Sequence, residues 1–289
     1  MAELIVTVDL EEWFQVENLR PWFPYNIWDQ EKLKCHDNVY RLLNLFDEKG
    51  IHATFFVLAW IAEKEPSLIR EIKYMGHEIA SHGYYHTQLT RLDNVRLNEE
   101  FVKSKQILED IVGSEVKGYR APNFSINNKT LHLIYKSGYM YDSSYNSFHL
   151  NNRYGRPSIL KKKTNYIYRV FNGFYEIPVS NLYIKNFVLP WAGGAYFRLI
   201  PSFLFCLGVK YILKKNGVYV FYIHPWEIDP YQRVPDDMRF QYRIRHYFNL
   251  KNTFIKLSNF FNSLKGICES ITCSSYLSYY ENSYNKERY

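Results

Sequence analysis

Leu4-Ile5-Val6-Thr7-Val8-Asp9-Leu10-Glu11-Glu12 opens on an unbroken apolar, β-branched run and closes on three acids in four residues. A run of this kind reads as a strand buried on both faces, as in a parallel sheet. In parallel α/β architectures the chemistry gathers at the carboxyl ends of the strands, so Asp9 and Glu11 lie where a site is expected. Two positions apart in extended backbone, they point the same way, which lets one ligate while the other accepts a proton. Acids also open helices, because the N-terminal dipole favours them, and the cluster alone does not separate these uses.

Outward from this run the chain alternates. A helix is expected over about 30–49, with Val39, Leu42, Leu43 and Phe46 on one stripe and Gly50 stopping it. Ala53 to Leu58 reads as a strand, Pro66 to Tyr74 as a helix, and His77 to Ala80 as a strand running into Ser81-His82. Helices over Asp93 to Val112 and Lys129 to Ser137 alternate with strands at Lys117 to Tyr119 and Tyr139 to Asp142. From Arg153 to Ala195 the pattern becomes β-rich, with strands at Tyr166 to Val170 and Tyr175 to Val179, and reads as an insertion. A helix over Pro201 to Lys214 and a strand over Val218 to Ile223, ending at His224, resume the alternation. The expected fold is α/β, a distorted (β/α) barrel of about seven parallel strands with a β-rich insertion. Residues 1–275 form one catalytic domain in this reading, and 276–289 a polar, Tyr-rich, loosely held tail.

With 47% hydrophobic and 22% charged residues, the 289-residue chain can bury a sizeable core, and global disorder is excluded. Its formal charge of +7 favours an anionic partner. No zinc finger, helix-turn-helix or aromatic RNA-binding signature accompanies the charge, so a nucleic acid is not that partner. The run Lys161 to Lys163 reads as a solvated loop. Cys35, Cys206, Cys268 and Cys273 show no paired spacing and read as buried thiols, and with no basic and apolar leader at the N-terminus a cytoplasmic location is expected. Leu199 to Leu213, broken by Pro201 and Lys210, is too short to span a bilayer and reads as a buried helix or a membrane-resting surface, suited to a lipid-linked substrate. Oligomerisation stays open.

Three strand ends thus present acids or histidines: Asp9 with Glu11, His82 with His86, and His224. The four-residue spacing of His82 and His86 suits two ligands on one side of a helical turn. Two imidazoles and a carboxylate leave coordination positions open, as in a catalytic centre, and suit zinc, with iron, cobalt or manganese also accommodated. His77, His36, His52, His132, His149 and His246 read as structural or surface histidines.

Five stretches in order resemble the polysaccharide deacetylases that share the chitooligosaccharide deacetylase homology domain, over about 4–225. They are the Asp9 opening, Gly76-His77-Glu78-Ile79-Ala80-Ser81-His82 with His86, Tyr119-Arg120-Ala121-Pro122, Tyr141-Asp142-Ser143-Ser144 and Ile223-His224-Pro225. Asp9-Leu10-Glu11-Glu12-Trp13-Phe14, where the family usually has adjacent aspartates, resembles a subgroup found with exopolysaccharide and surface-glycan loci. Gly193-Gly194-Ala195-Tyr196-Phe197-Arg198 and His224-Pro225-Trp226-Glu227 are similar to it too.

The resemblance implies metal-dependent removal of N-acetyl groups from a glycan. It makes Asp9 the base, Glu11, His82 and His86 the ligands, and His224 the acid. Arg120 would aim Asp9, Asp142 would orient His224, and the Asn123 backbone N–H beside Pro122 would meet the oxyanion. Tyr222 stands where the family usually has a Leu lining the acetyl pocket, which implies a differently shaped acyl site. Trp191, before the Gly193-Gly194 turn, reads equally as a sugar-stacking ring or a core residue. A small cyclic amide or ureide hydrolase and a catalytically dead glycan-binding module are the alternatives.

Overall fold

The strand that begins at Ala2 is buried from Leu4 onward and has a parallel neighbour on each side. The computed structural model describes residues 1–148, 153–160, 163–164 and 166–286. The first half comprises β1 (Ala2–Leu10), α1 (Cys35–Lys49), β2 (Ala53–Val57), α2 (Ala59–Lys64), α3 (Pro66–Tyr74), β3 (Glu78–Ser81), α4 (Asn94–Asn98), α5 (Ser104–Val112), β4 (Gly118–Tyr119), α6 (Asn128–Lys136) and β5 (Tyr141–Asp142). There follow β6 (Lys163–Thr164), β7 (Ile167–Phe171), β8 (Phe174–Glu176), β9 (Asn181–Ile184), β10 (Phe187–Pro190), α7 (Gly194–Leu199), α8 (Ser202–Asn216) and β11 (Val218–Ile223). The chain finishes with α9 (Phe240–Tyr247), α10 (Leu250–Leu264), β12 (Cys268–Ser270) and α11 (Cys273–Lys286).

Seven parallel strands run in the order β11-β1-β2-β3-β4-β5-β8, and β7 and β6 extend the sheet antiparallel beyond β8. The gap between β8 and β11 is bridged by chain rather than strand, through Ser180 N–H to Val220 O at 3.3 Å and Tyr222 N–H to Ala192 O at 2.8 Å. Strand alternation sorts the two faces. Leu4, Val6, Val8 and Leu10 join the core under the helices, whereas Ile5, Phe56, Ala80, Val220 and Tyr222 form a second, interior core. Counting on by twos from this interior set reaches Asp9, His82 and His224, so one parity rule turns all three toward the barrel mouth.

The structure departs from the sequence reading in four places. The first long helix starts at Cys35, because the buried Glu12 carboxylate accepts the backbone N–H groups of Lys34 (2.5 Å) and Cys35 (2.6 Å), and 25–30 is a separate 3-10 turn. β8, read as part of the insertion, is the seventh parallel strand. The segment read as a loose tail is the helix α11, whose Tyr276, Leu277 and Tyr280 are buried in the interior core. Its first turn is tied to the barrel floor, with Cys273 N–H donating to Thr54 Oγ1 and Ser274 N–H to Glu78 Oε2. Finally, Lys163 lies in β6, while Lys161, Lys162, His149 and the last three residues fall outside the described residues.

Candidate active site

Glu11, His82 and His86 bring one carboxylate oxygen and two ring nitrogens within 4.8 Å of one another, all three side chains buried. His82 Nδ1 donates to the Arg120 carbonyl at 2.8 Å, which fixes the tautomer and leaves Nε2 as a lone-pair donor. Burial, with His86 beside it, lowers the His82 pKa to about 4, so the ring is neutral and competent to ligate. Glu11 Oε2 lies 2.7 Å from His86 Nε2 yet makes no well-angled hydrogen bond to any described residue. A buried anionic oxygen left without a donor, facing two imidazoles, is the donor set a divalent cation completes. Burial pushes the Glu11 pKa upward, but His86, His224 and His82 outweigh it and hold the carboxyl well below its ordinary value.

His82 to His86 is a loop rather than the helical turn expected from the spacing, because Gly83 (φ 80) and His86 (φ 53) adopt left-handed backbone. The rings still meet, with centroids 5.4 Å apart. Glu100, on a π-helical segment between α4 and α5, holds this loop by accepting the Tyr84 N–H at 2.5 Å and the Tyr85 N–H at 3.4 Å. A Cβ on Gly83 would lie 2.7 Å from the Glu100 carboxylate, so the glycine is required by its neighbour as well as by its backbone.

Asp9 sits beside this triad. Arg120 Nη1 donates to Asp9 Oδ1 at 2.6 Å and to Thr7 Oγ1 at 2.7 Å, and its other nitrogens donate to the backbone and hydroxyl of Ser143. The guanidinium also lies 4.1 Å from the centroid of Phe56. With no exposed surface and this many contacts, Arg120 holds Asp9 in one orientation.

His224 faces Asp9 and Glu11, its Nε2 lying 3.9 Å from Asp9 Oδ2 and 3.5 Å from Glu11 Oε1. Its other nitrogen is 2.6 Å from Glu227 Oε1, and Glu227 Oε2 accepts from Arg198 Nε at 2.7 Å. Burial raises the Glu227 pKa, but Arg198 and His224 outweigh it and keep the carboxylate charged. Trp226 stacks near-parallel on His224 and donates its Nε1 to Glu11 Oε1 at 3.0 Å. Behind it, His246 stacks at 4.3 Å and is neutral, lowered to about 3 by burial and by Arg198.

Residues 26–141 match the polysaccharide deacetylase family model, and 143–267 match a domain of unknown function (DUF3473). Residues 26–141 thus carry a polysaccharide deacetylase domain. The chain is 34% identical over 106 residues to a peptidoglycan deacetylase-like protein of Gibberella zeae, covering 36% of this chain and 31% of that one. It is 32% identical over 104 residues to the peptidoglycan deacetylase of Helicobacter pylori, covering 36% of each. The chain thus spans about a third of the length of these curated relatives. Its fold is similar to that of a Mycobacterium smegmatis chain named as a candidate polysaccharide deacetylase, with a TM-score of 0.63 at 20% identity, over 98% of this chain and 91% of that one.

The deacetylase match holds His82, His86 and Arg120, while Asp9 and Glu11 precede it and His224 falls in the second match. The partner of His224 is Glu227 and not Asp142, which corrects the role that the resemblance implied. Asp142 lies on β5 opposite Glu176 of β8, accepts from Ser144 Oγ at 2.7 Å, and does not touch His224. Glu227 was within reach of sequence reasoning, since it lies three residues after His224 and its carboxylate also accepts the His224 backbone N–H. Trp191 is a packing residue rather than a sugar platform. Its ring stacks on Phe205 at 5.7 Å and its Nε1 donates to the Phe205 carbonyl. The Gly193-Gly194 turn serves close approach to β11, because a Cβ on Gly193 would lie 1.9 Å from Tyr222 O.

Tyr222 and Asn123 line the cleft, as do Tyr154, Tyr196 and Arg245, whereas Pro122 is buried beside it. Tyr222 meets His224 and Phe124 edge-on, and Asn123 adopts left-handed backbone (φ 56) with its Nδ2 unpartnered among the described residues.

Asp142 and Glu176 each keep one buried oxygen without a donor among the described residues, and burial raises both pKa values, Glu176 the further because Asp142 adds to it. One proton shared by the two carboxyls resolves both oxygens. The folded chain then binds a proton that the unfolded chain releases above the ordinary carboxylate range. Stability from this pair is therefore full at acid pH and lost as pH rises through the folded value. Glu176→Gln supplies a permanent N–H, so its melting temperature should match the parent near pH 5 and exceed it near pH 9. A lower melting temperature at both pH values would show that no shared proton is present.

Proposed function

We propose that this chain hydrolyses the acetamide of an N-acetylated sugar within a polysaccharide or surface-glycan precursor. The observation that carries the reading is the juxtaposition of Asp9 and His224, 3.9 Å apart, each held from behind by a separate ion pair and both adjoining Glu11, His82 and His86. A divalent ion held by those three side chains, zinc first by the donor set, would polarise the amide carbonyl and acidify water.

Asp9 takes the proton from the attacking water, and Arg120 keeps the carboxylate aimed while that proton arrives. The Asn123 amide and backbone N–H groups, in the cleft lining, would donate to the developing oxyanion, each such donor contributing about 3 kcal/mol. His224 Nε2 then gives a proton to the departing nitrogen, and the Glu227–Arg198 pair holds the ring through Nδ1. Tyr222 forms the floor against which the acetyl methyl packs. The cleft is open to solvent, and its lining includes Tyr154, Tyr196 and Arg245, side chains suited to contact sugar rings and hydroxyls.

Incubation with a panel of N-acetylated oligosaccharides should remove an acetyl group, detected as its mass loss and as released acetate. Turnover of cyclic ureides instead, or a metal-loaded chain that releases acetate from nothing in the panel, would overturn the reading.

A second expectation concerns pH. Against the lowering effect of burial, Glu11, Glu227 and Asp9 raise His224 to about 9. An acid must be protonated to act, so kcat/KM falls as pH rises past the point where His224 loses its proton. A cation on Glu11 offsets that carboxylate's share but leaves the share of Glu227. Glu227→Gln should therefore move the alkaline limb of the profile to lower pH by about one unit or more. An unmoved limb in a variant that is folded and active would remove Glu227 from this role.

A further inference from the structure

Between Glu176 and Glu227 the chain runs for residues 177–226 without one Asp or Glu, where about five would fall by composition. The same stretch holds the exposed cations Lys185, Lys210, Lys214 and Lys215, its fifth cation, Arg198, being buried against Glu227. It also holds much of the exposed apolar surface. On α8, Phe203 is 72% exposed and Leu204, Leu207 and Tyr211 about half exposed, on the side turned away from the core where a surface helix is ordinarily polar. The β9–β10 hairpin packs against α8 and presents Ile184 and the 72%-exposed Phe187 on either side of Lys185.

Apolar side chains rimmed by lysine, with no acid among them, match one occupant by charge and chemistry. We propose that α8 and the β9–β10 hairpin dock this protein on an anionic lipid surface and so bring the cleft to glycan anchored there. The second half of that statement rests on the deacetylase reading above and the first half does not. A second copy on a two-fold axis would set these lysines against their own images with no counter-charge. A lipid surface accepts both features, apolar side chains entering the boundary below the headgroups and lysines meeting the phosphates. No helix among the described residues is long and apolar enough to cross a membrane, so the contact is one of lying on the surface. The position relative to chemistry follows from connectivity, since α7, which joins the hairpin to α8, supplies Gly194, Ala195 and Tyr196 to the cleft wall.

The full-length chain should co-sediment with phosphatidylcholine vesicles containing about one-third phosphatidylglycerol and only weakly with phosphatidylcholine alone. Each lysine near such a surface contributes about fivefold to partitioning, so Lys210→Glu with Lys214→Glu and Lys215→Glu should weaken binding by more than about 100-fold. Phe203→Ser with Leu207→Ser should weaken binding to the same vesicles, and high salt should do so for the parent. Both variants alter exposed positions, so melting temperature and turnover of a soluble N-acetylated oligosaccharide should match the parent. Vesicle binding equal in parent and variants, or absent from the parent, overturns the proposal. So does a dimer in solution that Phe203→Ser dissolves, because the occupant is then a second copy. Loss of soluble turnover with vesicle binding intact would instead count against the deacetylase reading alone.

Discussion

Asp9→Asn is expected to lower kcat by up to about 10,000-fold while keeping both metal and fold. The amide is the same size and still accepts from Arg120, but it cannot take a proton. Arg120 remains held by Thr7, by the backbone and hydroxyl of Ser143 and by the face of Phe56, so the barrel mouth need not rearrange. Glu11→Gln should do the reverse and lose metal first, a neutral amide being the poorer ligand. Glu12→Gln should do neither, since its carboxylate faces the start of α1 and not the cleft. Metal content and single-turnover rates on the three proteins decide the matter. Loss of metal in Asp9→Asn with turnover remaining would make Asp9 a ligand and send the search for the base elsewhere.

His82→Ala should weaken metal binding by more than about 100-fold, beyond the loss typical of groups that only support a ligand. His82 is the better anchored imidazole, with one nitrogen tied to the Arg120 carbonyl, and its removal also frees the backbone that carries Arg120. His86→Ala should lose metal too while leaving Arg120 in place. The asymmetry is testable, because turnover rescued by excess zinc should return further in His86→Ala than in His82→Ala. Full occupancy in both proteins, measured after dialysis, would remove the centre proposed here.

Much of this site was legible from strand ends. β1 and β11 are continuous apolar runs, and their terminal residues can be read off without knowing the fold. The parity that turns Asp9, His82 and His224 inward follows from strand geometry alone. What escaped were contacts made across the fold. Glu227 lies three residues beyond His224, and that spacing alone does not show that it both caps the backbone and pairs with the ring. Asp142 was misplaced because the sequence says nothing of Glu176, which reaches the neighbouring strand only after the insertion. α11 was missed because its buried stripe is Tyr276, Leu277 and Tyr280, and tyrosine marks cores and surfaces alike.

The placement of α11 and β11 bears on how the chain reaches this state as it is made. β1 lies between β2 and β11, so its second edge has no partner until 218–223 have been synthesised. The interior core remains open at its floor until Cys273, Tyr276 and Leu277 follow. Contacts this distant in sequence form slowly, and an apolar strand with one edge bare in the meantime is exposed to mispairing. The same closure that brings Asp9 and Glu11 beside His224 leaves β1 waiting for a partner strand made some two hundred residues later.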